Sequence, residues 1–337
     1  MKKLLLGLML VVLFLGACAS PVDAPTVNNE PEISAFQKAQ SGKPFKFIIN
    51  ESGHPFILMA IAGFVEACDN YGLLCELVLT EDMDDAKLLT MAEATKAEDT
   101  SGVVFILNNA SRYPAGYSII DQGIPLVSWH TAIPPNTVRG LLARVGPNPV
   151  EYSLEAGRAG AEKVGCDGPA AISMSGMSDM ENTVADNMEA GFREVCPDTE
   201  FLPRIAVGSG DDAKGISSSS ALLQANPDVT VAFSTTSDGA RWWALSAQEV
   251  GIEKGKVAII GMDATRANLD LVKSGDVWML VGQPVFEEAY YSVFLLVNHL
   301  LGYPVPYNND LPAPQVTLEN VDNFYAILEK VDALKSR

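Results

Sequence analysis

Val229-Thr230-Val231-Ala232-Phe233-Ser234, a helical period over 239–250, and Val257-Ala258-Ile259-Ile260-Gly261-Met262 form the stretch on which the fold turns. Both apolar runs are continuous instead of alternating, which places them as strands in a sheet covered on both faces. Two such strands with a helix between them require a crossover, and a crossover of this kind is right-handed and parallel. The same unit recurs in both directions along the chain. Upstream lie strands at 45–50, 75–80, 102–108, 126–130, 141–145, 170–175 and 204–207, with helices at 55–71, 84–96, 149–164, 180–195 and 214–225. Downstream come a helix at 266–274, a strand at 277–281, a helix at 286–301, a strand at 315–318 and a terminal helix at 321–335.

The series breaks between 131 and 140 and again at Gly146-Pro147-Asn148-Pro149, so the chain reads as an α/β protein of two doubly wound parallel-sheet lobes. A length of 337 residues agrees with two lobes. Ligands of such sheets sit beyond the carboxyl ends of the strands, and two facing lobes make that place a cleft. The charge balance, 23 Lys plus Arg against 42 Asp plus Glu, repels phosphate backbones and anionic lipid surfaces, which sets nucleic-acid binding aside.

The N-terminus has another character. Met1-Lys2-Lys3 is basic, and the apolar run 4–15 is shorter than the roughly 20 residues a bilayer-spanning helix needs, so 1–17 is expected to be an export signal. Leu15-Gly16-Ala17-Cys18 resembles the bacterial lipoprotein signal, with Cys18 as the site of lipid attachment and the anchor to the cell envelope. Residues 18–44, rich in Pro, Asn, Ser and Glu, read as a tether with one helical turn near Phe36. Export permits disulfides among Cys68, Cys75, Cys166 and Cys196. Of the three pairings, Cys68 with Cys75 and Cys166 with Cys196 are favoured, since each joins neighbouring element ends within one lobe. Four buried free thiols are the alternative.

Motifs for bond chemistry are lacking. There is no G-x-S-x-G elbow, Gly208-Ser209-Gly210 lacks the third glycine of a dinucleotide loop, and Val257 after Gly255-Lys256 breaks the phosphate-loop pattern. There is no C-x-x-C or H-E-x-x-H, and His54, His130 and His299 are too dispersed to imply a metal. No metal and no cofactor are expected. His54 and His130 fall at strand ends facing the proposed cleft, whereas His299 sits near a helix end.

Seven landmarks in order resemble a known family. They are His54-Pro55-Phe56, Gly123-Ile124-Pro125-Leu126-Val127, Glu155-Ala156-Gly157-Arg158, Glu189-Ala190-Gly191-Phe192, Leu223-Gln224-Ala225-Asn226-Pro227-Asp228, Ile260-Gly261-Met262-Asp263-Ala264-Thr265 and Gly282-Gln283-Pro284. Over nearly all of 45–320 the chain is similar to type I periplasmic sugar-binding proteins, of the ribose and galactose kind, that feed ABC importers. The resemblance implies a three-strand hinge crossed near 146, 284 and 312. Lobe 1 would be 45–146 completed by 284–312, and lobe 2 would be 147–283 completed by 313–337. It implies a monomer that closes on a sugar or polyol, performs no catalysis, and presents the closed form to permease subunits.

Carried over by position, Phe56 matches the family's aromatic platform, and Asp263 and Gln283 match its hydroxyl-reading carboxylate and amide. Asn50, His54 and Asn108 fall on ligand-facing positions of lobe 1. Departures from the family pattern are His130, with Trp129 before it as a second ring, then Asp186 with Asn187 where an arginine is usual, and Ser237, or Thr236, in place of an asparagine. With two arginines lost and Asp186 gained, an anionic ligand is disfavoured, and a neutral polyol, a sugar or an amine-bearing ligand is permitted. Two other readings use the same lobes. One is a receptor that hands its closed form to a sensor kinase or chemoreceptor; the other is a tethered α/β enzyme with Asp186 and Asp263 as acid and base.

Overall fold

In a computed structural model, the described residues are 34, 37, 42–49, 53–79, 85–95, 99–175, 179–208 and 210–335. The expected signal at 1–17, Cys18, the turn near Phe36, nearly all of the tether and Asn50 lie outside them.

The first sheet comprises β1 (Phe45–Ile49), β2 (Cys75–Leu79), β3 (Gly102–Phe105), β4 (Leu126–Trp129), β5 (Ala143–Gly146) and β11 (Asn308–Asp310), in the order β11-β5-β4-β3-β1-β2. Every neighbouring pair in it is parallel. The second comprises β6 (Ala170–Met174), β7 (Ile205–Ala206), β8 (Val231–Ser234), β9 (Ala258–Met262), β10 (Met279–Val281) and β12 (Gln315–Val316), in the order β12-β10-β9-β8-β6-β7. It is parallel except for β12, which runs against β10. Strands β1, β3, β4, β6, β8 and β9 are buried at every position, as a sheet clothed on both faces demands.

The covering helices of the first lobe are α1 (Pro55–Tyr71), α2 (Asp85–Ala94) and α3 (Tyr113–Ile120); those of the second are α4 (Pro149–Val164), α5 (Asp179–Val195), α6 (Asp212–Ala225), α7 (Ser237–Glu249) and α8 (Arg266–Ser274). Helix α9 (Val285–Leu300) returns to the first lobe and packs along α1. The chain therefore passes between the sheets three times, after β5, after β10 and after β11. The terminal helix α10 (Tyr325–Lys335) touches both lobes, with Lys330 on Glu66 of α1 at 2.7 Å and Asp332 on Arg266 of α8 at 2.7 Å.

Helix ends follow local chemistry. Pro55 occupies the first turn of α1, where its missing N–H costs nothing, and Gly72 ends the helix at φ +60°. Between α4 and α5 the backbones nearly touch. A Cβ on Gly157 would lie 2.1 Å from the Met188 carbonyl oxygen, and one on Gly191 would lie 2.1 Å from that of Leu154. Both disulfides favoured from element ends are present, Cys68–Cys75 in the first lobe and Cys166–Cys196 in the second.

Some elements differ from expectation. Helix α3, with the 3₁₀ turn Ala110–Arg112 before it, fills a span in which no element is expected; its Pro114 sits in the first turn, where it is tolerated. Strand β11 was unreadable because Asn308-Asn309-Asp310 is polar; it is an edge strand held by Arg144, which donates to Asn308 Oδ1 at 3.1 Å and pairs with Asp310 at 2.5 Å. The strand expected at 315–318 shortens to β12, and the helix expected at 321–335 begins as a 3₁₀ turn, Val321–Phe324. Among the described residues no helix is long and apolar enough to cross a membrane.

Candidate functional site

The carboxyl ends of the two sheets face each other, and the loops there bring the side chains together. In the first lobe His54 caps α1, its Nδ1 accepting from the Phe56 N–H at 3.3 Å. That bond leaves the ring proton on Nε2, which points at Asp238 Oδ2 of α7 at 3.9 Å, across the gap between lobes. Asp238 also accepts from the Gly210 N–H at 3.1 Å. Burial alone raises the Asp238 pKa, but the bonds from His54 and Gly210 and the charges of His54 and Arg241 outweigh it and hold the carboxyl below its ordinary range.

Phe56 lies stacked over Trp129 with centroids 6.0 Å apart and meets the edge of His130 at 4.8 Å. Trp129 is 0% exposed and packs edge-on against Phe47 at 5.3 Å. The expectation of Trp129 as a second ligand ring is thus revised: it backs Phe56 from behind, and its indole N–H has no partner. Asn108 Oδ1 is likewise buried without a partner.

Two strands of the site end on left-handed non-glycine residues, His130 (φ +50°) after β4 and Asp263 (φ +67°) after β9. Such backbone is costly and clusters where a side chain must be thrown into a particular place. Asp263 is 3% exposed. Its Oδ2 accepts from the Ser237 hydroxyl, while its Oδ1 is buried with no partner. Capping of α8 is done by Thr265, whose Oγ1 accepts from the Asn268 N–H at 3.4 Å, so Asp263 is free of that duty. Asn268 in turn donates to the carbonyls of Met262 and Ser237, both at 2.9 Å, and of Asp263 at 3.2 Å, tying the two loops together. Burial pushes the Asp263 carboxyl up to about 6, against the Ser237 bond and the charges of His130 and His54.

Glu288, in the first turn of α9 and 0% exposed, holds His130 Nδ1 at 3.1 Å. Burial disfavours the protonated imidazole, yet the Glu288 charge and hydrogen bond, with Asp263 behind them, keep His130 above its ordinary value. Gln283 donates from Nε2 to the Tyr152 hydroxyl of α4 at 3.2 Å. Tyr152 is buried, and burial together with the charges of Asp263 and Glu288 drives its phenol pKa upward. In the second lobe Glu181 of α5 accepts from the Ser175 N–H at 2.8 Å and hydroxyl at 2.5 Å, and from the Thr235 hydroxyl at 3.5 Å.

Of the residues expected to form the site, the structure gathers His54, Phe56, Trp129, His130, Ser237, Asp263 and Gln283. Thr236, the alternative to Ser237, has a buried hydroxyl without a partner. Asp186 and Asn187 stay outside this cluster. The Asp186 side chain is 66% exposed and paired with Arg204 at 2.7 Å, and Asn187 donates to the Thr183 carbonyl of its own helix at 2.7 Å. Arg204 cancels the charge that Asp186 was expected to bring. Sequence reasoning missed Tyr152, Asp238, Asn268 and Glu288. A readable signal existed for one of them, since Glu287-Glu288 opens an otherwise apolar helix.

The arrangement offers buried acceptors and a supported ring face to a small molecule. Among the described residues no group of three or more His, Cys, Asp or Glu is placed to hold a metal ion.

A family model described as a periplasmic binding protein domain matches residues 45–304. No curated protein sequence matches significantly. Among solved structures, a sugar-binding protein of a sugar ABC transporter from Bacillus halodurans is 20% identical with a TM-score of 0.76, covering 84% of this chain and 100% of that one. A periplasmic solute-binding protein of an ABC transporter from Actinobacillus succinogenes, with bound D-allose, is 17% identical with a TM-score of 0.76, covering 83% and 100%. An ABC transporter solute-binding protein from Bacillus halodurans, with bound myo-inositol, is 19% identical with a TM-score of 0.74, covering 85% and 98%. At these identities the likeness speaks to the fold.

Proposed function

Because the chain belongs to the periplasmic binding protein domain family, we propose that it is the solute receptor of an ABC importer, capturing a sugar or other small polyhydroxylated ligand by hinge closure. The family binds and does not transform, so the ligand leaves unchanged. One observation carries the reading: Asp263 Oδ1 is buried between the lobes without a partner, beside a supported ring. A desolvated carboxylate oxygen left unpaired costs a few kcal/mol, roughly 1–3 for a typical group and more for a charged one, and a ligand hydroxyl removes that cost.

In this reading Phe56 takes the C–H face of the ligand, and Asp263 and Gln283 read its hydroxyls. His54, Asn108, His130 and Ser237 line the remainder. Lobe 1 is 45–146 with 284–312, and lobe 2 is 147–283 with 313–337; the passages between the sheets are the hinge. An acyl group on Cys18 ties the receptor to the cell envelope, next to permease subunits that receive the closed form. Relatives holding D-allose and myo-inositol support the ligand class.

The test is a thermal-shift panel of sugars, polyols, nucleosides and amines. A ligand that favours the native form raises the melting temperature, and scattering should show the particle contract with the same ligand. A panel in which only nucleosides shift the transition overturns the polyol reading. Retention of a Cys18→Ala variant in the membrane fraction overturns the anchor.

A further inference from the structure

Resting on the receptor reading, we propose that the ligand carries a protonated amine on its polyhydroxylated frame, as an amino sugar or amino polyol does, and that Asp263 receives it. The charges of the cleft do not balance. Asp238, Asp263 and Glu288 converge there, and the basic groups facing them are two imidazoles and, beside Asp238, Arg241, which Asp212 already pairs. Each imidazole is already committed. His130 gives Nδ1 to Glu288 at 3.1 Å, and His54 has Nδ1 on the Phe56 amide and Nε2 toward Asp238.

The arginines of the neighbouring loops do not fill the gap. Arg112 is buried and engaged, Arg139 is exposed and pairs with Asp121 at 3.6 Å, and Arg144 is held by Asn308 and Asp310 on the edge strand. Of the three acids, Asp263 alone keeps a buried carboxylate oxygen, Oδ1, with nothing donating to it. A neutral hydroxyl satisfies that oxygen with a single dipole. An ammonium supplies three donors and the opposite charge, and a charge-assisted bond is roughly twice as strong as a neutral one. Burial that pushes the Asp263 carboxyl up to about 6 is the signature of a carboxylate lacking enough compensation, and a bound cation returns it to its ionised form.

The experiment is calorimetry on the full chain at pH 7 with D-glucosamine, D-galactosamine and D-mannosamine, each beside its parent sugar and its N-acetyl derivative. The expected result is one stereochemical series in which the free amine binds about tenfold or more tightly than both neutral counterparts. Asp263→Asn should erase that preference while leaving the neutral sugar measurable. Should Asp263→Asn fail to fold, Asp238→Asn, at a half-buried position, should narrow the preference several-fold while circular dichroism shows the chain still folded. A parent sugar that binds as tightly as its amine, or more tightly, overturns the amine inference and leaves the receptor reading standing. If none of these ligands binds and no neutral polyol of the thermal-shift panel does, the receptor reading falls and takes this inference with it.

Discussion

The two walls of the cleft are built from different material although both descend from the same β/α repeat. The first lobe presents rings, Phe56 stacked on the buried Trp129 and edged by His130. The second presents oxygens, Asp263 and Ser237 at the end of β9 and the start of α7. The difference shows how the work of recognition divides. A ring face attracts any C–H surface with little directional demand, whereas a buried acceptor accepts only a donor placed along its lone pair. Affinity can therefore come from either wall, but discrimination between stereoisomers should come from the second.

The largest test of that division is Asp263→Ala, which removes the unpartnered acceptor. Loss of one member of a buried polar pair costs about 2–5 kcal/mol, so affinity for the panel's best ligand should fall about thirtyfold or more by calorimetry, with circular dichroism unchanged. Phe56→Ala should cost less, about tenfold, and should weaken all stereoisomers evenly. Uneven weakening would mean that the ring wall discriminates, and the comparison would be broken.

Acidity sharpens the contrast further. The Asp263 carboxyl sits at about 6 instead of 3.8, so between those values the folded chain holds a proton that the unfolded chain has released. That contribution to stability is complete below pH 3.8 and is lost as the pH rises through about 6. Ligand donors need the carboxylate, so binding runs the other way. Affinity should be level above pH 6 and fall about tenfold per unit below it, in Phe56→Ala as in the parent but not in Asp263→Ala. The smallest effect concerns the contact that joins the walls. His54→Gln weakens the 3.9 Å pair with Asp238, and a partly exposed pair is worth about 0.2–1 kcal/mol, so stopped-flow release should quicken about two- to fivefold.

Much of the scaffold was legible. Pro55 and Gly72 bracket α1 because a missing N–H and a left-handed φ each have one sensible place in a helix. Continuous apolar runs such as Val257-Ala258-Ile259-Ile260 announced buried parallel strands, and β9 is buried throughout. Polar Asn308-Asn309-Asp310 gave no such signal, since edge pairing there depends on Arg144, a residue far away in sequence. In the site, strand ends pointed to His54 and His130, and the resemblance to the family pointed to Phe56, Ser237, Asp263 and Gln283. Asp186 looked equivalent on helix position, but its neighbour Arg204 claims it. Asn268 carried no sequence signal, because a tie between two loops is visible only once both loops are placed.

The order of apolar runs, turn residues and helix caps determined by itself the α/β class, the doubling into two sheets and the ends of strands where a ligand can sit, since these follow from backbone geometry and local burial. Only the tertiary structure decided which charges are shared and which are left over. Whether a carboxylate is satisfied depends on what comes within a few ångströms of it, and His130, Glu288, Ser237 and Asp263 are brought that close by folding alone.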